Sequence, residues 1–546
     1  MPDSLLAIAE YSGYISIIKL VVFLILFFLW LPLVSWVYSD SENIGIKQNL
    51  WTSVVLGTAV AGTLVFLFVP VFIVGMSLYI IAVVITAVSY LKNRNAVVMD
   101  FDRILTGNHI KSLFSARQAK KLEDIKKFLF ITANENEVPL PQPKTPDFYG
   151  YKAAYDILSD ATWRRAEEVI LSPTNQDYKV SYNIDGAALK QPVSTREQAE
   201  LFIHFVKNLA DLDSNEKRKP QKGKFKIRQE QQKDIDWEVT TAGSTAGEQI
   251  RLKRSSQHNI LRLGEIGLAN DQYVQLNSLS DKKEGLFIIS GLEKSGVTTS
   301  FYAFLRNHDA FLNSIDVLER NPTAELPNIT QNVFSLSDTG TTTYAKRLLR
   351  LIRMGPDILG AAECEDSESA RIACQAAGDG KVVYVTIEAE SVLKALGKWI
   401  KLVGNKERAI APLIGIINQR LVRKLCPECK QAYSPNTGLL RKFNLSSEKV
   451  KALYRPGKVV YDKHGKERIC ESCQGTGFLG RTGIFENIAI DANLKESIKK
   501  SKSFSEINSH LRHAKMLYLQ ERALRRVIDG TTSVNEMIRI ITPKGK

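Results

Sequence analysis

Apolar positions dominate the start of the chain, where they form two long runs. Residues 15–37 are apolar apart from Lys19 near the start, and residues 49–91 carry no charge at all. A helix needs about 20 apolar residues to cross the hydrocarbon core of a membrane. Each run is long enough, so the pattern predicts a region of transmembrane helices over residues 1–95.

The number of membrane spans depends on how the second run is divided. As one helix it would extend about 65 Å, roughly twice the membrane core. Pro70 near its middle favours either two helices in a hairpin or one span with a re-entrant piece. The total is therefore two or three spans. A signal peptide is disfavoured, because no basic segment precedes the first run and no small-residue cleavage site follows it.

The charges beside these runs predict the orientation. Lys92 and Arg94 follow the second run, and basic residues favour the cytoplasmic side. The loop 39–47 is short and slightly acidic, which suits the outer face of a two-span topology. We therefore expect the rest of the chain to lie in the cytoplasm.

After residue 95 the pattern becomes that of a globular protein. Residues 96–150 are mixed and charged and end in a proline-rich stretch, which predicts a membrane-proximal helix followed by a linker. Helical and strand patterns then alternate over 151–258, with a hairpin turn at Asp185–Gly186. This part is predicted to be an α+β domain.

A glycine-bearing loop follows the apolar run 286–289, which is typical of a buried strand. Residues 291–298, GLEKSGVT, match a phosphate-binding loop except that Val297 stands at the lysine position. Backbone N–H groups at a helix N-terminus still suit a phosphate, and Thr298 is the hydroxyl expected on magnesium. Taken alone, such an incomplete motif does not exceed chance. The candidate nucleotide-binding residues are Gly291, Lys294, Ser295, Gly296, Val297, Thr298 and Thr299.

Four of the six cysteines form two C-x-x-C pairs, which is the ligand spacing of a structural zinc site. The long insertion 430–469 between the pairs is expected to be a subdomain held at its base. Cys364 and Cys374 are interpreted as buried thiols. The predicted zinc ligands are Cys426, Cys429, Cys470 and Cys473.

Length and charge add limits to this picture. The chain has 546 residues, enough for several domains, and a net charge of +15 from 73 basic and 58 acidic residues. A basic balance suits nucleic acid or an anionic membrane surface. No arginine-rich tail or basic–aromatic interleaving is present, so we expect no nucleic-acid partner.

The order of these motifs resembles the secretion ATPase superfamily of type II secretion and type IV pilus assembly motors. The resemblance covers about 151–540 and is most specific around the cysteines, in segments 419–429 and 473–486. It implies an α/β P-loop (RecA-like) domain, preceded by an α+β domain and followed by a tetracysteine zinc subdomain and a helical tail. The predicted domains are 1–95 (membrane), 96–150 (linker), 151–258 (α+β), 259–420 (P-loop), 421–486 (zinc) and 487–546 (helical).

The departures from this family lie where its chemistry should be. Glu319 and Glu363 match family acids and are the candidate catalytic residues, but Arg320 stands where a second acid is expected. Glu365 replaces an arginine and Glu388 a histidine of the family pattern. Since phosphoryl transfer depends on cations around the phosphates, these changes weaken the site for a polyanion.

The resemblance leaves three functions open. The first is a membrane-anchored subunit that is impaired in nucleotide binding and does not hydrolyse ATP, acting as a scaffold or regulator. The second is an active ATPase motor with rewired phosphate ligands, in which Lys294 reaches a phosphate. The third is a membrane sensor with a borrowed ATPase-like domain. All three imply structural zinc, an optional ATP–magnesium ligand, and the inner (cytoplasmic) membrane. The expected partners are inner-membrane secretion or pilus components, and a ring of identical or paralogous subunits, expected to be a hexamer.

Overall fold

A computed structural model describes most of the chain as two compact units. The described residues are 17–44, 46–69, 71–98, 103–104, 128–142, 145–229, 234–255, 260–335, 343–446, 450–457, 460–461 and 467–542. The first unit comprises described residues of 1–160, 169–181 and 190–254, and the second those of 161–168, 182–189 and 255–546.

The apolar runs form three helices, α1 (Ile17–Ile44), α2 (Gln48–Phe68) and α3 (Phe72–Val97). The break between α2 and α3 lies where the sequence predicts it, at Pro70, which is outside the described residues. Within the described part, Gln48–Phe66 and Ile73–Val97 are long and apolar enough to cross a membrane by length and composition.

A buried ion pair joins α1 to α3. Arg94 Nε donates to Asp40 Oδ2 at 2.8 Å, and the Tyr90 hydroxyl donates to the same oxygen at 2.7 Å. Asp40 and Arg94 are both almost fully buried. The predicted loop 39–47, whose residues up to Ile44 belong to α1, is therefore at the same end of the helices as Arg94. Its predicted position on the opposite, outer face is wrong, because that prediction considered the acidic charge of the loop without the ion pair that Asp40 forms with Arg94.

Residues 128–255 form a nine-stranded sheet with two helices. The strand order is β2-β1-β7-β8-β9-β3-β4-β5, and β6 pairs with β4. The elements are β1 (Phe128–Ile131), β2 (Glu137–Val138), α4 (Pro146–Trp163), β3 (Glu168–Pro173), β4 (Asp177–Ile184), β5 (Ala187–Lys190), β6 (Ser194–Thr195), α5 (Arg196–Leu209), β7 (Gln221–Gln229), β8 (Ile235–Ser244) and β9 (Gly247–Ser255).

Two of these strands lie inside the predicted linker 96–150. Strand β1 pairs antiparallel with β7, Phe130 opposite Ile227, and Phe130 is fully buried. The linker therefore ends before Phe128. A four-residue strand whose partner lies about a hundred positions away leaves little periodicity to detect. Most of the predicted membrane-proximal helix lies outside the described residues.

Residues 260–425 form the α/β part of the second unit. The seven-stranded sheet has the order β12-β11-β13-β14-β10-β15-β20, and its strands are parallel except β20. The elements are α6 (Asn270–Ser280), β10 (Gly285–Gly291), α7 (Val297–Leu305), β11 (Ile315–Glu319), β12 (Thr330–Val333), α8 (Tyr344–Arg353), β13 (Ile358–Ala361), α9 (Ser367–Gly378), β14 (Val382–Glu388), α10 (Val392–Val403), α11 (Lys406–Ile410) and β15 (Leu413–Leu425).

The last part of the chain adds small strands and four tail helices. The elements are β16 (Gln431–Tyr433), α12 (Thr437–Lys442), β17 (Leu453–Arg455), β18 (Val460–Tyr461), β19 (Glu467–Arg468), β20 (Phe478–Ala489), α13 (Ala492–Lys500), α14 (Phe504–His513), α15 (Leu519–Ile528) and α16 (Val534–Ile541). Strand β20 returns antiparallel along nearly the whole of β15.

The core strands β10, β11, β13 and β14 are buried on both faces, as their continuous apolar runs predict. Because these strands are parallel, their carboxyl ends meet at one edge of the sheet. Ligands of open α/β sheets bind at this edge. The predicted loop and the predicted acids all lie there.

Candidate functional site

The loop between β10 and α7 has the backbone of an anion-binding turn. Lys294 (φ 61°) and Gly296 (φ 84°) are both left-handed, and Gly296 is the residue before the first turn of α7. Consecutive N–H groups in such a turn form a concave site for an anion, and the N-terminus of the nine-residue helix favours negative charge. The loop can therefore receive a phosphate by its backbone alone.

Val297 places an apolar side chain at the position where the phosphate-loop template has a lysine. It packs against the buried cluster beneath the sheet edge. A β-carbon at Gly291 would lie 2.9 Å from Val297 Cγ2 and 2.2 Å from Ser295 Oγ, so position 291 requires glycine. The loop keeps its close packing and lacks the charge that the phosphate template places at position 297.

Two buried polar side chains lie at the loop, and one of them donates a hydrogen bond to it. Ser295 Oγ is buried and has no hydrogen-bond partner in the described part of the chain. Gln419 of β15 donates from Nε2 to the Ser295 carbonyl at 2.9 Å and is almost fully buried. An unpaired buried hydroxyl is costly, so the Ser295 hydroxyl fits a bound phosphate oxygen. Gln419 was not among the predicted site residues, although a polar residue within an apolar strand was its signal.

The other predicted loop residues differ in position. Lys294, Thr298 and Thr299 are exposed. Thr298 lies in the first turn of α7 and is accessible to a ligand, as its predicted role on magnesium requires. Lys294 is the only basic side chain of the loop and is directed to solvent-exposed space.

Glu388 brings negative charge to the loop. In the β10–β14 register it is the partner of Gly291, and its side chain is exposed. The next residue, Ala389, donates its N–H to the Gly291 carbonyl at 3.2 Å. A carboxylate one strand away opposes a polyanion at the loop.

Glu363 follows β13 in a left-handed conformation, with φ of 54°. Its N–H donates to Thr386 Oγ1 of β14 at 2.7 Å. A non-glycine residue held this way is a strained position of the kind that clusters at functional sites. Burial, followed by the charges of Glu365 and Glu319, raises the pKa of Glu363, while Arg320 lowers it.

The Glu363 carboxylate is already paired within the chain. Arg320, the first residue after β11, lies with Nε 3.3 Å from Glu363 Oε2. The position expected to hold a second acid thus holds the cation that neutralises the first. The structure therefore brings Glu363 into the predicted site, with its charge compensated.

Glu319 has a structural environment. It is 3% exposed, its Oε2 accepts from the Tyr302 hydroxyl at 2.6 Å, and its Oε1 accepts from Gln331 Nε2 at 2.8 Å. Burial and then this hydrogen bond raise the pKa of Tyr302 to about 12. Since both carboxylate oxygens are engaged, the geometry does not support the predicted catalytic role of Glu319.

The four predicted zinc ligands come together beyond the far end of β15. Their sulfur atoms all lie within 4.8 Å of one another. Cys426 Sγ is 3.9 Å from Cys470 Sγ, and Cys429 Sγ is 3.7 Å from Cys473 Sγ. A zinc ion at about 2.3 Å from four tetrahedral sulfurs spaces them about 3.8 Å apart. The residues present fit a structural zinc ion.

Local backbone fixes these cysteines. Cys426 N donates to the Gly477 carbonyl at 3.0 Å, and Gly477 N donates to Cys473 Sγ at 3.2 Å. Gly477 has φ of 71°, and a β-carbon there would meet Pro456 Cβ at 2.5 Å. The glycine turn behind the second cysteine pair is thus required by conformation and by space.

Comparison with known proteins gives a family match. A family model described as "Type II/IV secretion system protein" matches residues 151–539. That range includes the loop, Glu363 and all four cysteines.

Individual relatives are more distant. A type IV pilus assembly ATPase, PilB, of Thermus thermophilus is 29% identical over 422 residues, which cover 77% of this chain and 46% of the relative. A type II secretion system protein E of Dickeya dadantii is 29% identical over 385 residues, covering 70% and 74%. The Legionella pneumophila ATPase DotB has a TM-score of 0.50 at 14% identity, over 73% of this chain and 96% of that one. The chain spans about half the length of this PilB.

Proposed function

The chain belongs to the type II/IV secretion system protein family, and on that basis we propose that it is a membrane-anchored subunit of a secretion or pilus-assembly system that does not hydrolyse ATP. The observation that carries this is the charge pattern at the sheet edge. Val297 packs into the core at the lysine position, and Glu388 lies in register with Gly291. Catalysis of phosphoryl transfer consists largely of positioning and charge stabilisation, so this edge is poorly suited to it.

The scaffold role is supported by what the chain keeps. The loop conformation, the seven-stranded sheet and the cysteine cluster are all intact. These features support packing and assembly, whereas the altered positions are those nearest a phosphate. We propose that the subunit contributes shape and regulation to an assembly, with structural zinc at Cys426, Cys429, Cys470 and Cys473.

We propose that it joins a ring, either of identical chains or with active paralogues, beside inner-membrane components of the same system. Its membrane helices would hold that ring at the bilayer. Native mass spectrometry of the full chain in detergent, alone and with an active paralogue, checks this. Monomers in both samples would contradict the ring.

The deciding experiment for the function is ATP turnover by the full-length chain. We expect turnover far below about 1 per second, the lower end of typical enzymes. Turnover at that rate or faster that disappears in Glu363→Gln would refute the proposal. Glu368→Gln, an exposed acid in the first turn of α9, is the matched control.

An active motor remains a second candidate because of one observation. Lys294 is exposed and lies in the loop itself, where it is free to reach a phosphate. If the chain hydrolyses ATP, Lys294→Met should abolish turnover while Lys283→Met, on the exposed turn before β10, leaves it unchanged.

A further inference from the structure

Arg320 lies in a site built to hold a cation. Its guanidinium carbon is 5.3 Å from the Phe334 ring centre and 5.5 Å from that of Tyr344, within the range of cation–π attraction. The two rings pack edge to face at 5.5 Å. Glu363 closes the site at 3.3 Å from Arg320 Nε.

The strand ends fix the floor of this site. The Tyr344 hydroxyl lies 3.0 Å from the Leu318 carbonyl and 2.5 Å from the Ala362 carbonyl. Leu318 is the next-to-last residue of β11 and Ala362 directly follows β13, and Tyr344 is 4% exposed. The ring beneath Arg320 is therefore part of the rigid sheet edge.

The charges around Glu363 would otherwise call for a counter-ion. Glu319 and Glu365 both raise the pKa of Glu363, after burial, and Arg320 opposes them. Hard divalent cations bind carboxylate oxygens. A guanidinium that already pairs with the carboxylate repels a second cation and occupies its position.

We propose that Arg320 is an internal substitute for a divalent cation at Glu363, so that a phosphate-bearing ligand at the loop meets a metal-free site. This inference rests on the proposed loss of ATP hydrolysis, and it explains part of that loss by the pairing of Glu363 with Arg320. It disagrees with the magnesium expected from the sequence motif: Thr298 is available to the metal, whereas Glu363 is not.

The test is manganese binding by the zinc-loaded full-length chain in detergent, followed by the electron paramagnetic resonance signal of free Mn²⁺. We expect wild type to bind none at Glu363. Arg320→Gln should gain one site, with affinity at least about tenfold tighter than any site of wild type. Arg320→Gln with Glu363→Gln should lose it again. Arg441→Gln, at an exposed arginine of α12, should behave as wild type.

Two results would overturn the inference. One is a manganese site in wild type that Glu363→Gln removes. The other is a folded Arg320→Gln chain that gains no site. If Arg320→Gln does not fold, Arg320→Lys keeps the charge and should still exclude manganese, whereas a manganese site in that variant counts against the inference. ATP turnover is measured separately, so a hydrolysing wild type would refute the proposed function without deciding the manganese result.

The metal-free part of the inference is tested with a fluorescent ADP analogue. We expect equal affinity in Mg²⁺ and in EDTA for wild type, and about tenfold tighter binding in Mg²⁺ for Arg320→Gln. Magnesium-dependent binding by wild type, or no binding in either solution, contradicts this part.

Discussion

Val297 changes the phosphate loop in two ways, by charge and by packing. Without that cation, a phosphate at the loop would depend on backbone N–H groups and the buried Ser295 hydroxyl, while the Val297 side chain packs against the core beneath the loop. In such hydrogen bonds only the phosphate is charged, whereas a lysine ammonium would add a direct attraction between opposite charges. Affinity and turnover should therefore respond differently when the charge is restored.

Val297→Lys is expected to tighten nucleotide binding by about tenfold, about 1.4 kcal/mol, with little gain in turnover, because Glu388 and the Arg320–Glu363 pair remain. Fluorescent-nucleotide titration and phosphate release measure the two effects. Val297→Met, which adds length without charge, is the control. Turnover that rises in proportion to affinity would show that position 297 alone limits the site.

At the scale of single residues, the sequence predicted backbone conformations better than contacts between side chains. Gly291 and Gly296 are where the loop template puts them, because a close approach and a positive φ leave no other residue. The contact of Arg320 with Glu363 could not be foreseen. This contact depends on β11 lying next to β13. The spacing of residues along the sequence does not show which strands are neighbours.

The last helix, α16, is attached to β15 through one buried acid. Glu536 accepts hydrogen bonds from Arg423 Nη2 at 2.8 Å and Arg539 Nη2 at 2.6 Å. Although burial raises it, the hydrogen bonds from Arg539 and Arg423 outweigh burial and lower the pKa of Glu536 to about 2. The attachment therefore depends on an ionised carboxylate.

Acid should loosen this helix. A carboxylate with a lowered pKa stabilises the fold above its unfolded pKa, and that contribution is lost as pH falls from about 4.5 to about 2. The shift corresponds to at most about 3 kcal/mol. Denaturant unfolding across this range should show a smaller pH dependence in Glu536→Gln than in wild type. Equal slopes would contradict the assignment, and Glu506→Gln, an exposed acid in α14, is the control.

The cysteine cluster joins the ends of two long strands. Cys426 follows β15, and Cys473 precedes β20 by a glycine turn. Four thiolates would close a tetrahedral site, so a zinc ion held there would be structural. Loss of that ion should unfold the insertion 430–469 before the seven-stranded sheet unfolds.

We expect one zinc per chain, and loss of zinc with a lower unfolding temperature in Cys473→Ser. Metal analysis and thermal unfolding measure this. Cys374→Ser removes a buried thiol elsewhere and should retain zinc. Native protein without zinc, with all four cluster thiols open to alkylation, would contradict the site.

Elements with long periodic patterns were the predictable ones. The strand 285–291 and the hairpin at Asp185–Gly186 follow from apolar runs and turn residues. Strands β1 and β2 did not, because their four and two residues are too short to show a period. The pairing of β1 with β7 is a tertiary contact that local sequence does not encode.

For the molecule as a whole, the proposed membrane anchor predicts the side of the bilayer on which the two units lie. The Asp40–Arg94 pair holds α1 and α3 side by side in the same direction, so the loop 39–47 shares a side with Lys92 and Arg94. If the helices span a membrane, these basic residues predict that this side is cytoplasmic. The units that follow would then lie in the cytoplasm.

The full chain is expected in the membrane fraction and resistant to alkaline carbonate, with a C-terminal reporter active in the cytoplasm. Asp40→Asn should weaken the helix bundle, by up to about 3–5 kcal/mol, since it removes the carboxylate charge that pairs with the buried Arg94. Detergent-based unfolding measures this, and Asp40→Leu with Arg94→Leu should recover much of the loss. A chain that remains soluble after cell breakage contradicts the anchor.

Strand β15 connects the loop to the cysteine cluster. Gln419 near its middle holds the Ser295 carbonyl, and the strand runs on to Leu425, beside Cys426, roughly 20 Å further at about 3.3 Å per residue. Strand β20 pairs with it along this length, with a shift of register between Arg423 and Leu425 just before the cysteines. Because one strand contacts both sites, we predict that oxidation of the cysteines loosens the loop, and faster hydrogen exchange at Ser295 in oxidised protein would report it.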